Sequence, residues 1–256
     1  MTPLQKLLAA AALAAISLVP FTHNSFANDE LTQPLESSVR NTLSGTVTLD
    51  GDVPEARRID LSADPFCAEQ SPNAITEFFV VNDGKVANVL VYVTNETLRT
   101  SDSLVSFADS AVIERNKCRF EPRVLGIQVG QPLEIFNRDK TAHNTHPYPK
   151  VNREWNMSQP ASSTITQAFE RPEVFISVRC NQHPSEQAYI SVFNHPFFAV
   201  TDKRGNYKIE GLPPGSYKVI AMHEKLGEKS VEVAVTSGKS QSVDFVYPAS
   251  AAATTR

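Results

Sequence analysis

The chain has no excess of basic residues: 24 Lys and Arg stand against 28 Asp and Glu, a formal net charge of −4. A mixed, weakly acidic surface argues against nucleic acid as a partner. Past the first 27 residues no apolar run approaches the ~20 residues that a spanning helix needs, so no later membrane span is expected. There is no Gly-x-Ser-x-Gly elbow, no HExxH pair, no phosphate-cradling glycine loop and no glycine-rich nucleotide turn. Acidic residues are abundant, but sequence alone places no pair of them in a cleft. The expectation is a protein that is not an enzyme.

Cysteine is also scarce. Cys67, Cys118 and Cys180 are the three in the chain, and an odd thiol in an exported protein is a feature to explain. Cys180 has His183 close by and the other two have no histidine beside them. That nominates Cys180 as the odd one and leaves Cys67 and Cys118 as a candidate disulfide, with two buried free thiols as the alternative.

Export is read from the first residues. Lys6 is a short positive n-region, Leu7 to about Phe21 is apolar, and Ser25-Phe26-Ala27 is a small-residue cleavage signal, so residues 1–27 read as a signal peptide. A membrane anchor is the alternative. Cleavage would remove Lys6, leaving 23 basic against 28 acidic residues in a periplasmic or secreted protein. What remains is long enough for one large or two small domains.

Residues 28–42 are polar and aperiodic, a linker. From there strand patterns dominate: "LSGTVTLDG", "ITEFFVVNDG", "KVANVLVYVTN", "RVLGIQVG", "PLEIFN", "TITQAFE", "EVFISVRC", "AYISVFN", "NYKIEG", "GSYKVIAMH", "KSVEVAVTSG" and "QSVDFVY". The chain is all-β by count. Helical signal is confined to a turn or two in "NETLRTSDSLVSFADSAV" and in the segment before Trp155. The tail 248–256 is expected to be disordered.

Two separated stretches, "SGTVTLDGDVPEA" with "VANVLVYV" and later "FFAVTDKRGNYKIEGLPPGSYKVIAMH", resemble the prealbumin-like, carboxypeptidase regulatory type of β-sandwich. In "LPPGSY", Pro214 presets a turn φ and Gly215 supplies a conformation that other residues avoid, so the chain must reverse there. The resemblance implies a prealbumin-like domain made of 43–112 and 196–247, with 113–195 inserted in one of its loops. One continuous sandwich is the alternative.

Within that insert, "VGQPLEIFNRDKTAHNTHPYP" followed by "VFISVRCNQHPSE" and "AYISV" resembles the cupredoxins, small copper-binding β-sandwiches. The resemblance implies two Greek-key sandwiches and one mononuclear copper, with His143, Cys180 and His183 as ligands and Asn144 tying the two ligand loops together. Two imidazoles and a thiolate are the donor set that suits copper, and the short step from Cys180 to His183 lets one tight loop aim both side chains at one point. Where the short-loop members carry methionine stands Glu186. No methionine lies between Cys180 and Met222. Glu186, a hard oxygen donor, is the candidate fourth ligand, and would favour Cu(II) over Cu(I) and lower the reduction potential. Gln182, Gln187 and a backbone carbonyl are the alternatives, as is a Glu186 exposed on the loop.

The remaining histidines read as structural: His146 as an exposed loop residue, His195 and His223 as satisfied internal ones. Trp155 reads as packing and Arg123 as a surface charge. The functional expectation is a one-electron carrier or copper-binding protein, with a periplasmic redox protein such as a c-type cytochrome as possible partner. A metal-free partner- or carbohydrate-binding module is the alternative. A copper oxidoreductase would need a second metal site or a bridging histidine.

Overall fold

The structure is a computed structural model that describes residues 41–100, 105 and 107–254. The signal peptide and nearly all of the linker lie outside the described residues. β1 (Thr42–Asp50) leads to a short helix α1 (Pro65–Gln70), then to β2 (Val81–Asn82), β3 (Lys85–Val86), β4 (Leu90–Thr94) and α2 (Glu96–Thr100). Nine strands follow: β5 (Ala111–Arg115), β6 (Phe120–Glu121), β7 (Val124–Gln128), β8 (Leu133–Asn137), β9 (His143–Tyr148), β10 (Met157–Gln159), β11 (Thr164–Gln167), β12 (Glu173–Arg179) and β13 (Gln187–Phe193). The chain ends with β14 (Phe198–Val200), β15 (Asn206–Glu210), β16 (Gly215–His223), β17 (Gly227–Val235), β18 (Gln241–Ser242), β19 (Phe245–Pro248) and a 3₁₀ turn, Ala249–Thr254. The fold is all-β.

The strands sort into four sheets. One has the order β15-β1-β3-β2, with β18 and β19 also paired to β1, and another runs β14-β4-β16-β17. Leu43, Val47 and Leu49 of the first interdigitate with Val91, Val93, Val219 and Ala221 of the second in one buried core. The other two sheets, β11-β8-β5-β6 and β10-β9-β12-β13-β7, are built from the strands between 111 and 193. Ile113, Leu133 and Ile135 meet Ile127, Ile176, Val178 and Ile190 in a separate core. The alternation that marks these strands follows from one wet face and one dry: β8 and β15 bury every second residue. β13 departs from it, burying Ile190, Ser191, Val192 and Phe193 in succession. Its outer face meets the neighbouring sandwich, where Phe193, Leu90 and Val124 form a third cluster with Tyr92, Tyr189 and Phe198.

Three local expectations need correction. "ITEFFVVNDG" gives only the two-residue β2 and one isolated bridge, Arg58 to Ile75. Its apolar residues instead pack under the neighbouring core, as Phe79 and Val81 do. No helix forms before Trp155. The tail expected to be disordered forms the 3₁₀ turn through Thr254, with Ala251 packed on the first core.

Between β1 and β2 the chain makes a long excursion that carries α1. The sequence marks its start: Asp64 as N-cap accepts from the N–H groups of Phe66 and Cys67, and Pro65 occupies the first turn where its missing N–H costs nothing. Cys67 of α1 is joined by a disulfide to Cys118 in the β5–β6 turn. The Ser71 hydroxyl also donates to the Lys117 carbonyl at 3.1 Å, and Arg119 pairs with Glu77. An arm that begins in one sandwich is thereby fastened onto the other.

Candidate metal centre

β12 and β13 form an antiparallel hairpin with Arg179 opposite Gln187, and the loop between them carries Cys180, His183 and Glu186. The loop is tight because the Glu186 N–H donates to the His183 carbonyl at 2.9 Å and the Cys180 N–H to the Glu186 carbonyl at 3.4 Å. His143 opens β9, the strand paired to β12 on its other side. Asn144 Oδ1 accepts from the Asn181 N–H at 2.8 Å and lies 3.5 Å from Cys180 Sγ, which links the two segments.

These elements bring His143, Cys180, His183 and Glu186 together. One donor atom from each lies within 4.8 Å of all the others, and all four residues are buried. Both imidazoles turn Nδ1 inward: the two Nδ1 atoms are 2.9 Å apart, and Cys180 Sγ is 3.5 Å from that of His183 and 3.9 Å from that of His143. Glu186 Oε1 lies 3.0 Å from His143 Nδ1 and 3.3 Å from His183 Nδ1. Close as they are, these contacts lack hydrogen-bond alignment, so Oε1 is buried without a hydrogen bond. A buried carboxylate oxygen in that state can serve as a ligand to a cation. A donor set of two nitrogens, one sulfur and one oxygen around a common point fits a copper ion. Gln182 is exposed, and Gln187 directs its amide to Ser177 Oγ at 3.1 Å.

Three further polar side chains surround the cluster, none singled out by the sequence reading. Asp139 Oδ2 is 3.1 Å from His143 Nε2, and Asp64 Oδ2 is 3.1 Å from His183 Nε2. Arg115 is fully buried, with Nε 2.8 Å from Glu186 Oε2. Its other nitrogens donate to Gln159 Oε1 at 2.8 Å, the Asn144 carbonyl at 3.1 Å and Thr145 Oγ1 at 3.3 Å, and its guanidinium stacks over Phe120. Glu186 thus turns one oxygen to Arg115 and the other to the imidazoles. The N-cap signature of Asp64 is readable in sequence. Its second role, on a histidine far along the chain, is not.

Charge in the site is strongly coupled. Burial opposes a thiolate at Cys180, but contacts with His143 and His183 outweigh it and bring the thiol down to about 6. Burial likewise opposes charge on His143, yet Asp139, Cys180 and Glu186 push the ring up to about 10. His183 is raised chiefly by Cys180, against burial. Burial lowers Arg115, with Glu186 acting in the opposite sense. These contacts favour the thiolate at Cys180 and a proton on the imidazoles, and an ion bound at Nδ1 would compete with that proton.

The other residues fall outside the cluster. His146 lies in β9 rather than in an exposed loop, with Nε2 2.6 Å from Glu154 and Nδ1 3.2 Å from Asn181 Oδ1. His195 and His223 are buried, and burial first of all lowers both to about 4. His195 Nδ1 accepts from the Phe197 N–H, and His223 Nδ1 from those of Lys225 and Leu226. Trp155 packs against the second core. Arg123 is not a surface charge: it forms a two-pronged ion pair with Glu224, at 2.6 and 2.9 Å, across the junction of the sandwiches. Its position in a strand-flanking "EPRV" gives no hint of a partner so far away.

The carboxypeptidase regulatory-like domain family matches residues 176–248, a stretch that starts within β12 and runs through β19. No curated protein matches the sequence. Among solved structures, a copper-containing nitrite reductase from Thermus scotoductus SA-01 is 19% identical, with a TM-score of 0.31, over 33% of this chain and 22% of that one. The chain thus spans about a fifth of that reductase's length. A purple cupredoxin from Nitrosopumilus maritimus is 20% identical, with a TM-score of 0.29, over 32% of this chain and 99% of that one. A Cu(I) form of an amicyanin variant is 20% identical, with a TM-score of 0.30, over 40% of this chain and 97% of that one. The chain combines a carboxypeptidase regulatory-like match with structural neighbours that are cupredoxins.

Proposed function

We propose that the protein is an exported copper-binding protein that holds one copper ion on His143, Cys180, His183 and Glu186 and serves as a one-electron carrier or copper-binding module. The observation that carries this reading is the convergence of four buried donor atoms within 4.8 Å, one of them a carboxylate oxygen that has no hydrogen bond. Bound there, copper supplies a single-electron couple. The protein's own residues do the rest. Cys180 offers a thiolate already stabilised by two imidazoles, and Glu186 offers one oxygen while Arg115 occupies the other. Every donor sits on the β12–β13 hairpin or on β9, elements fixed by sheet pairing, so the geometry resists change between charge states.

Burial of all four donor residues, His183 the most exposed at 8%, favours a carrier over a copper oxidoreductase, which needs a position open to substrate. The Cys67–Cys118 disulfide fits an oxidising compartment and supports export to the periplasm or beyond. A periplasmic redox protein such as a c-type cytochrome is the proposed partner. The competing reading is a metal-free binding module, favoured by the counter-charge that Arg115 already supplies to Glu186.

Titration of the mature protein with Cu(II) separates them. The copper reading predicts saturation at one equivalent, with a visible thiolate-to-copper band that Cys180→Ser abolishes. No visible band, with Cys180 still titratable by a thiol reagent, would overturn the copper reading.

A further inference from the structure

Both imidazoles are held from behind by a carboxylate, and a single covalent bond joins the segment that carries Asp64 to the β5–β6 turn that hydrogen-bonds Asp139. Asp64 Oδ2 faces His183 Nε2 at 3.1 Å, while Asp64 Oδ1 accepts from the Cys67 N–H at 3.2 Å. Asp139 Oδ2 faces His143 Nε2 at 3.1 Å and also accepts from the Cys118 N–H at 2.8 Å. Each half of the disulfide therefore donates its own backbone N–H to the carboxylate that orients one ring. On the Asp139 side the arrangement is reinforced by backbone geometry. Lys117 and Cys118 both have positive φ, 54° and 58°, an unusual conformation for residues with side chains. It turns two successive N–H groups onto one carboxylate, the Lys117 N–H reaching Asp139 Oδ1 at 2.7 Å.

We propose that Asp64, Asp139 and the Cys67–Cys118 disulfide form one clamp that positions the two ligand histidines and retains the metal, an inference that rests on the copper reading above. An imidazole offers two nitrogens. With Nε2 engaged by a carboxylate, Nδ1 is the nitrogen left for an ion, and the ring cannot swing away without breaking that contact. Asp139 belongs to the sandwich that carries the site, but Asp64 does not: it arrives on the arm between β1 and β2. The disulfide keeps that arm in place. Cys67 is fully buried and Cys118 nearly so, at 3% exposure, which suits a permanent fastening. Asp64 and Asp139 are thus positioning residues, and the first sandwich helps to build the centre in the second.

The test uses the full mature chain loaded with Cu(II). Release into excess EDTA is followed through the visible band for the wild type, Asp64→Asn and the Cys67→Ser/Cys118→Ser pair. Asn caps helices as well as Asp does, so Asp64→Asn keeps α1 while turning an N–H₂ or a single oxygen toward His183. The clamp predicts release about 10- to 100-fold faster in either variant, and little further acceleration when they are combined, because both act through one device. Copper-loaded variants that release at the wild-type rate would overturn it. The metal-free protein gives a second readout, the imidazole ¹⁵N resonances. Disulfide removal should shift the Nε2 signals of both His143 and His183, and Asp64→Asn mainly that of His183. If the wild type takes up no copper, the copper reading fails while these shifts still decide the clamp: unmoved resonances reject it, moved ones uphold it as a device that orients the rings.

Discussion

At the scale of single residues the centre turns on the two oxygens of Glu186. Oε2 is committed to Arg115 and Oε1 to the imidazole side, so the residue cannot be exchanged without stranding a buried guanidinium. Glu186→Met should therefore destabilise the metal-free protein by about 3–5 kcal/mol, the usual cost of removing one partner of a buried ion pair. Adding Arg115→Met should recover most of that loss, as read from urea unfolding midpoints. In copper-loaded protein, Glu186→Met should raise the reduction potential and move the spectrum toward blue-copper character; an unchanged spectrum would remove Glu186 from the donor set. The sequence reading named His143, Cys180, His183 and Glu186 through the cupredoxin-like motifs around them, Glu186 as the residue standing where a methionine is usual, and the fold brings all four together. Arg115, Asp139 and Asp64 escaped it for a physical reason. Arg115 and Asp64 act through partners far along the chain, Glu186 and His183, which nothing in "IERNK" or "SADPF" records. Asp139 stands only four residues before His143, but its contact with the ring depends on how the β8–β9 loop folds back, which "NRDKT" does not state.

At the scale of elements, β1 is the strand around which the first sandwich is assembled, with β15, β3, β18 and β19 all paired to it. Gly45 makes this possible. A Cβ placed there would lie 1.8 Å from the Val243 carbonyl oxygen, a backbone atom with no freedom to withdraw. Gly45→Ala should cost at least the 1–3 kcal/mol typical of overpacking and weaken the attachment of the C-terminal strands, visible as faster amide exchange in β18 and β19. In sequence, "LSGTVTLDG" reads as a strand from its alternation alone, and β1 spans Thr42–Asp50. "ITEFFVVNDG" reads as one too, yet nearly all of it lies outside the sheets. Its apolar residues serve packing, and a continuous apolar run does not say which partner it meets.

At the scale of the whole molecule, two sandwiches share a junction of aromatic side chains and the Arg123–Glu224 pair. Two buried neutral histidines, His195 and His223, give the fold a pH limit. Their folded values of about 4 lie below the ~6.5 of an exposed histidine, so between those values the unfolded chain binds more protons and stability rises with pH. Acidifying from pH 6.5 to 4 should remove on the order of 3 kcal/mol per histidine, measurable as a falling urea midpoint in that window. Neither this limit nor the arm that carries Asp64 to His183 is visible in the sequence, since both depend on which surfaces the fold covers. The central claim is that the four buried donors bind one copper ion. X-ray absorption at the copper edge of the loaded protein tests it most directly: one sulfur, two imidazole nitrogens and one further light atom are predicted. A spectrum with no sulfur shell, with Cys180 still reactive toward a thiol reagent once the protein is unfolded, would contradict it.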